Sequence, residues 1–246
     1  GSSIEQLIVE KLTNQEELRY NKIHPLNMLN YWRTYSSGCG FKGSGTWAVN
    51  SRVAAAMEEA FYLSFKNIEK TNKKWMLAID CSGSMTWPEN NIRGTKTTSR
   101  DAAAAMAMVA IRTESLANVH VKGFSSNLVE LPLKASMSLE QVSREMDKIS
   151  AGSTNCAAPI EFALKNKLMI DVFVIYTDNE VNSGKSPVAV LKEYRKKVNP
   201  QAKMIVVGMS STGFSIADPK DRGMLDVVGF DSSAPAIMNE FVLGNI

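Results

Sequence analysis

The run Asp80-Cys81-Ser82-Gly83-Ser84 follows directly on the apolar segment Trp75 to Ile79, which places a carboxylate and two hydroxyls at the end of a buried strand. Strand side chains alternate faces with a period of two, so Asp80, Ser82 and Ser84 start on one side while Cys81 and Gly83 take the other. Gly83 lets the chain curl, and three oxygen side chains can then converge on one point. A carboxylate with neutral oxygens is the ligand set of a hard cation, magnesium first, and needs neither thiolate nor imidazole. The same string would also suit an ordinary polar turn that closes a strand. Two later segments favour the metal site. Gly152-Ser153-Thr154-Asn155 offers a hydroxyl in a loop, and Thr177-Asp178-Asn179-Glu180 ends a second apolar strand, Val172 to Tyr176, with another carboxylate.

Other chemistries find less support. Cys39, Cys81 and Cys156 are too few and too widely spaced for a disulfide framework or a zinc pattern, and they fit a reducing, cytosolic compartment. His24 and His120 neighbour neither proposed loop, so Cys81 and Cys156 read as small buried thiols behind the loops rather than as nucleophiles. The glycines of Gly43-Ser44-Gly45 follow a helical stretch and no Lys-Ser/Thr ends the run, so a phosphate loop is not indicated. A magnesium-dependent phosphoryl-transfer or hydrolytic enzyme built on Asp80 and Asp178 would need a general base that neither segment supplies.

The elements that must hold these residues follow from periodicity. Glu5 to Tyr20 has helix-like apolar spacing, His24-Pro25 opens a helix through Tyr35, and Asn50 or Ser51 caps a third. From Lys74 onward strands alternate with helices. Trp75–Asp80, Asn118–Phe124, Asn127–Leu133, Asp171–Thr177, Lys203–Gly208 and Leu225–Phe230 read as strands. Helices are expected over Ser99–Glu114, after the capping box Ser138-Leu139-Glu140-Gln141, around Pro159, from Ser186-Pro187, and over Ala236–Leu243. This alternation predicts an α/β fold, a mainly parallel sheet covered on both faces, with strand order 3-2-1-4-5-6. Asp80 and Asp178 would flank the crevice where that order reverses.

With 246 residues, 44% of them hydrophobic, the chain can bury a full core, and its longest apolar runs are strand-sized. No signal peptide is visible, and Gly1-Ser2-Ser3 reads as a tag remnant. The net charge of +3 lies in residues 1–74, where ten basic residues face seven acidic ones, an excess too small to indicate nucleic acid by itself. Lys66, Lys70, Lys73 and Lys74 cluster just before the first strand. The polar stretch Thr86 to Thr98 is expected to loop over the metal site, with Trp87 as a candidate contact residue.

Together Asp80-x-Ser82-x-Ser84, Thr154 and Asp178 resemble the metal-ion-dependent adhesion site of von Willebrand factor A domains. The surrounding chain resembles the C-terminal part of the Ro, or TROVE, family of RNA-binding proteins. The supporting strings include Ile23-His24-Pro25, Ala60-Phe61-Tyr62, Leu191-Lys192-Glu193-Tyr194-Arg195-Lys196-Lys197 and Ile216-Ala217-Asp218-Pro219. The resemblance implies a Rossmann-like von Willebrand A domain over 73–246, preceded over 4–72 by a helical segment similar to the end of that family's helical repeats. It further implies that Ser82, Ser84 and Thr154 bind a divalent cation (Mg2+, with Mn2+ or Ca2+ as substitutes) through their hydroxyls. Asp80 and Asp178 would hold it directly or through water, leaving one position open to a partner's carboxylate or phosphate. Asn155 stands where the family has Asp, which removes a negative charge near the cation and predicts weaker or altered cation preference.

The family's activity implies a part in the binding and quality control of small non-coding RNAs, Y RNA and misfolded RNA, in the cytoplasm or nucleus. The chain is too short for the RNA-binding ring, so weak or absent RNA binding, no catalysis, no membrane contact and a monomer are expected of it. An adhesion-type domain that binds an extracellular acidic ligand such as collagen is the alternative.

Overall fold

The computed structural model describes all residues except 1, 41–42, 88–89, 93–96, 151, 179–182, 210–215 and 231–232. It divides into two compact units, one of residues 1–70 and 93–97, the other of residues 71–92 and 98–246. The described residues of the first unit form the α-helices α1 (Ser3–Leu12), α2 (Gln15–Tyr20), α3 (Pro25–Ser36) and α4 (Ser51–Ser64). The single helix expected over Glu5–Tyr20 is two helices. The Asn14 carboxamide accepts hydrogen bonds from the N–H groups of Glu16 and Glu17, so it caps a new helix in place of continuing the old one. Its apolar stripe is also largely uncovered, Leu7 being 53% exposed, while Leu18 is buried. Ser2, expected as a tag remnant, caps α1 through the Glu5 N–H. The core of this unit forms where α3 meets α4, with Leu26, Leu29, Ala60 and Phe61 fully buried and Trp32 stacked on Phe61.

The second unit is a six-stranded sheet in the order β3-β2-β1-β4-β5-β6, as expected. The strands are β1 (Trp75–Asp80), β2 (Val119–Phe124), β3 (Leu128–Glu130), β4 (Val172–Thr177), β5 (Lys203–Gly208) and β6 (Met224–Val228). All neighbours are parallel except the β2–β3 hairpin. β1 and β4 are buried at every residue, the signature of central strands covered on both faces. The edges are shorter than the sequence suggests. β3 ends at Glu130, before Pro132, which has no N–H to give a ladder. β6 ends at Val228 because Gly229, at φ +99°, turns the chain away.

Among the described residues this unit also has the α-helices α5 (Ser99–Thr113), α6 (Leu139–Asp147), α7 (Ala158–Lys165), α8 (Pro187–Lys197) and α9 (Ser233–Leu243). α9 begins three residues earlier than expected, since Pro235 sits in a first turn where its missing N–H costs nothing. α5 packs on β1 and β4 through a nearly continuous run of small side chains, Ala102 to Ala105 and Ala107, which lets helix and sheet approach closely. The opposite face buries Met76, Ala78, Phe173 and Ile175 under Ile160, Ala163, Leu191 and Tyr194 of α7 and α8. Among the described residues no helix is long and apolar enough to cross a membrane.

Candidate functional site

β1 and β4 run side by side in register, Ile79 beside Tyr176, so Asp80 and Thr177 leave the sheet together. By strand alternation Asp80 continues the row of Met76 and Ala78, and Thr177 the row of Phe173 and Ile175. Both therefore project to the α7 side. The Thr177 hydroxyl donates to Asp80 Oδ2 at 2.8 Å, and the Ser82 N–H donates to Asp80 Oδ1 at 2.8 Å. The Asp80 carboxylate thus bridges the two strand ends and sets the direction of the turn that follows.

That turn is a single 3-10 segment, Gly83–Thr86, and it brings the Ser82 and Ser84 hydroxyl oxygens to 3.2 Å of each other. Asp178 joins them through a residue that sequence reasoning missed. The Asn90 carboxamide Nδ2 donates to the Ser84 carbonyl at 3.1 Å and to Asp178 Oδ2 at 3.4 Å, while the Ser99 hydroxyl holds the Asn90 carbonyl. Thr154, on the loop ahead of α7, is placed by its backbone. Its carbonyl accepts from the Ser183 N–H at 3.3 Å, and the Asn155 N–H donates to Ser125 O at 3.1 Å. Asn155 itself serves the turn into α7, its Oδ1 accepting from the Ala157 N–H.

Asp80 is 0% exposed, and Asp178 and Thr154 are 1% exposed. Burial pushes the Asp80 carboxyl up to about 6 and the Asp178 charge adds to the rise, although the Ser82 and Thr177 hydrogen bonds pull it down. Two neighbouring carboxylates are therefore held out of water, and among the described residues the donors to Asp80 are neutral groups. The donor set, carboxylate and hydroxyl oxygens, fits a hard divalent cation. Among the described residues no three His, Cys, Asp or Glu side chains converge.

The thiols lie behind it. Cys156 is fully buried, and burial, with the Asp80 charge next in effect, pushes its thiol far above the usual range. Burial likewise drives the Cys81 thiol up to about 12. Trp87 is 51% exposed, and its backbone N–H donates to the Ser84 carbonyl, so the residue follows directly on the hydroxyl turn. The remainder of the stretch expected to loop over the site, at 88–89 and 93–96, lies outside the described residues, as do Asn179 and Glu180.

Thr177 had a legible signal. Equal-length parallel strands in register put it directly opposite Asp80. Asn90 had none, because its approach to Asp178 spans 88 residues of chain.

A doubly wound sheet with hydroxyls and two carboxylates at the point where strand order reverses defines a von Willebrand A-type domain. Residues 74–242 match the family described as the Ro60 vWA domain. The chain is 41% identical over 241 residues to the RNA-binding protein RO60 of Caenorhabditis elegans, covering 97% of this chain and 37% of that protein. It is also 41% identical over 247 residues to the RNA-binding protein RO60 of Deinococcus radiodurans, covering 100% of this chain and 46% of the relative. The crystal structure of the Deinococcus radiodurans RO (RSR) protein superposes with a TM-score of 0.92 at 41% identity, over 100% of this chain and 49% of that one. The chain belongs to the Ro60 vWA domain family. It spans less than half the length of the curated relatives it matches.

Proposed function

We propose that this chain is the divalent-cation-dependent binding module of a Ro-like RNA-binding protein that takes part in the binding and quality control of small non-coding RNAs. Asp80, Ser82, Ser84, Thr154 and Asp178 would hold the cation, magnesium first. When bound, the cation supplies an electrophilic point at which an anionic oxygen of a partner can be captured. The chain's own residues do the rest. Thr177 and the Ser82 N–H fix the Asp80 carboxylate, Asn90 ties Asp178 to the Ser84 turn, and Trp87 borders the same turn. The observation that carries this reading is the pair of buried carboxylates, one pushed up to about 6, beside two hydroxyl oxygens 3.2 Å apart. The names of the two relatives support the RNA-binding part.

The test is chelator sensitivity. Anisotropy of a labelled acidic peptide and of a labelled single-stranded RNA is measured with the chain in magnesium and in EDTA. Binding of either probe that is lost in EDTA and restored by magnesium agrees with the proposal. Binding that ignores the chelator contradicts it.

A further inference from the structure

A cavity of about 310 Å3 opens beside the Thr154 loop, lined by Ser125, Ser126, Asn127 and Val129 of the β2–β3 turn and by Lys148, Ile149 and Ser150 after α6. Its walls are tied to the loop that carries Thr154. Ser126 Oγ accepts from the Ser153 N–H at 2.9 Å and from the Ser153 hydroxyl at 3.1 Å, and the Ser125 hydroxyl donates to Ser150 O at 3.1 Å. Gly152 is required for this closure, since a Cβ there would lie 2.3 Å from Ser126 Oγ.

The lining is rich in donors. Ser126 Oγ is an acceptor in both of its hydrogen bonds, which leaves its own proton to give. The Lys148 ammonium has three protons and spends one on Glu145 Oε1, at 2.7 Å. The Asn127 carboxamide and the Ser150 hydroxyl add further donors, and among the described residues no carboxylate lines the cavity. Several donors with one positive charge suit a tetrahedral oxyanion, which offers acceptors in more directions than the two oxygens of a carboxylate.

We propose that this cavity is a phosphate subsite, with Ser126, Asn127, Lys148 and Ser150 as its donors, and that it takes a backbone phosphate of an RNA strand. The choice of an RNA strand rests on the function proposed above; the cavity's own chemistry does not. Lys148 supplies charge and Ser126 direction.

The experiment measures binding of a labelled ten-nucleotide uridine RNA to the full chain by anisotropy, over a salt series, in magnesium and in EDTA. Wild type is compared with Ser126→Ala, Lys148→Gln and Ser82→Ala, each checked for folding by circular dichroism. Lys148→Gln is expected to weaken binding about fivefold and to reduce the salt slope by about one, as loss of one phosphate contact does. Ser126→Ala is expected to weaken it about threefold with the slope kept. Inorganic phosphate should compete at millimolar concentration with wild type and not with Lys148→Gln. If Ser82→Ala and EDTA change nothing while Lys148→Gln and Ser126→Ala still weaken binding, the cation-dependent function fails and the subsite stands. If both cavity variants bind as wild type does, or wild type binds neither RNA nor phosphate, the subsite is overturned.

Discussion

Asp80 holds two strand ends together through neutral donors while keeping a carboxylate wholly out of water beside Asp178. A buried charge without a cationic partner costs stability, and a bound cation would relieve it. Asp80→Asn should therefore abolish cation binding and, in EDTA, raise the stability of the chain by about 1–3 kcal/mol, read by urea denaturation. A loss of stability in EDTA would mean that the carboxylate is already compensated. Asn90 acts through Asp178 and the Ser84 carbonyl, as an outer-shell group acts on a ligand. Asn90→Ala should weaken magnesium affinity roughly 10-fold in calorimetry with the fold intact. Unchanged affinity would remove it from the site. The residue types and spacing of 80–84 made the oxygen cluster legible in sequence, because a strand end followed by alternating oxygens is a local pattern. The Thr177 hydroxyl was not assigned although the expected strand order already put it beside Asp80, and Asn90 was not because its approach to Asp178 spans 88 residues of chain. Asn155 gains a second meaning: besides lacking charge, its carboxamide is used by the Ala157 N–H at the entry to α7.

The elements show the same division between local and long-range information. Strand order and the two buried central strands follow from apolar runs alternating with helices, whereas the break at Asn14 and the short β3 and β6 follow from single residues that outcompete the pattern. α8 shows how an element is fixed from outside itself. The Tyr194 hydroxyl on α8 donates to Leu168 O at 2.5 Å and accepts from the Ile170 N–H at 2.8 Å, which locks the approach to β4. Tyr194→Phe should cost about 1–3 kcal/mol by leaving these buried groups unpaired, measured by denaturant unfolding. On the same helix Arg195 reaches Asp221 at 2.5 Å as well as Ala202 O and Gly223 O, which anchors the turn into β6. Partial burial pushes the Asp221 carboxyl up, but the Arg195 guanidinium and the Gly223 N–H outweigh it and hold it below the usual carboxylate range. A depressed carboxylate contributes stability that is present above its unfolded value and lost as pH falls through its folded one. Asp221→Asn should thus be less stable than wild type at pH 7, and the gap should close as pH is lowered below the ordinary Asp range, near 4. A gap that stays constant with pH would show that the ion pair contributes nothing.

At the scale of the molecule, the helical unit and the sheet unit each have a core of their own, and the site at the reversal of strand order belongs wholly to the sheet unit. The comparisons place that unit in the Ro60 vWA domain family, with the chain spanning less than half of each relative. Sequence alone reached the fold because the sheet unit is built from regular alternation. The helical unit was less legible, since the exposed stripe of α1 follows from what packs against it and not from its own spacing. If the oxygen cluster at the ends of β1 and β4 binds a divalent cation, calorimetric titration of the full chain with magnesium should show one site of millimolar or tighter affinity in wild type, lost in a folded Ser82→Ala variant. No magnesium binding by wild type, or equal binding by Ser82→Ala, would contradict it.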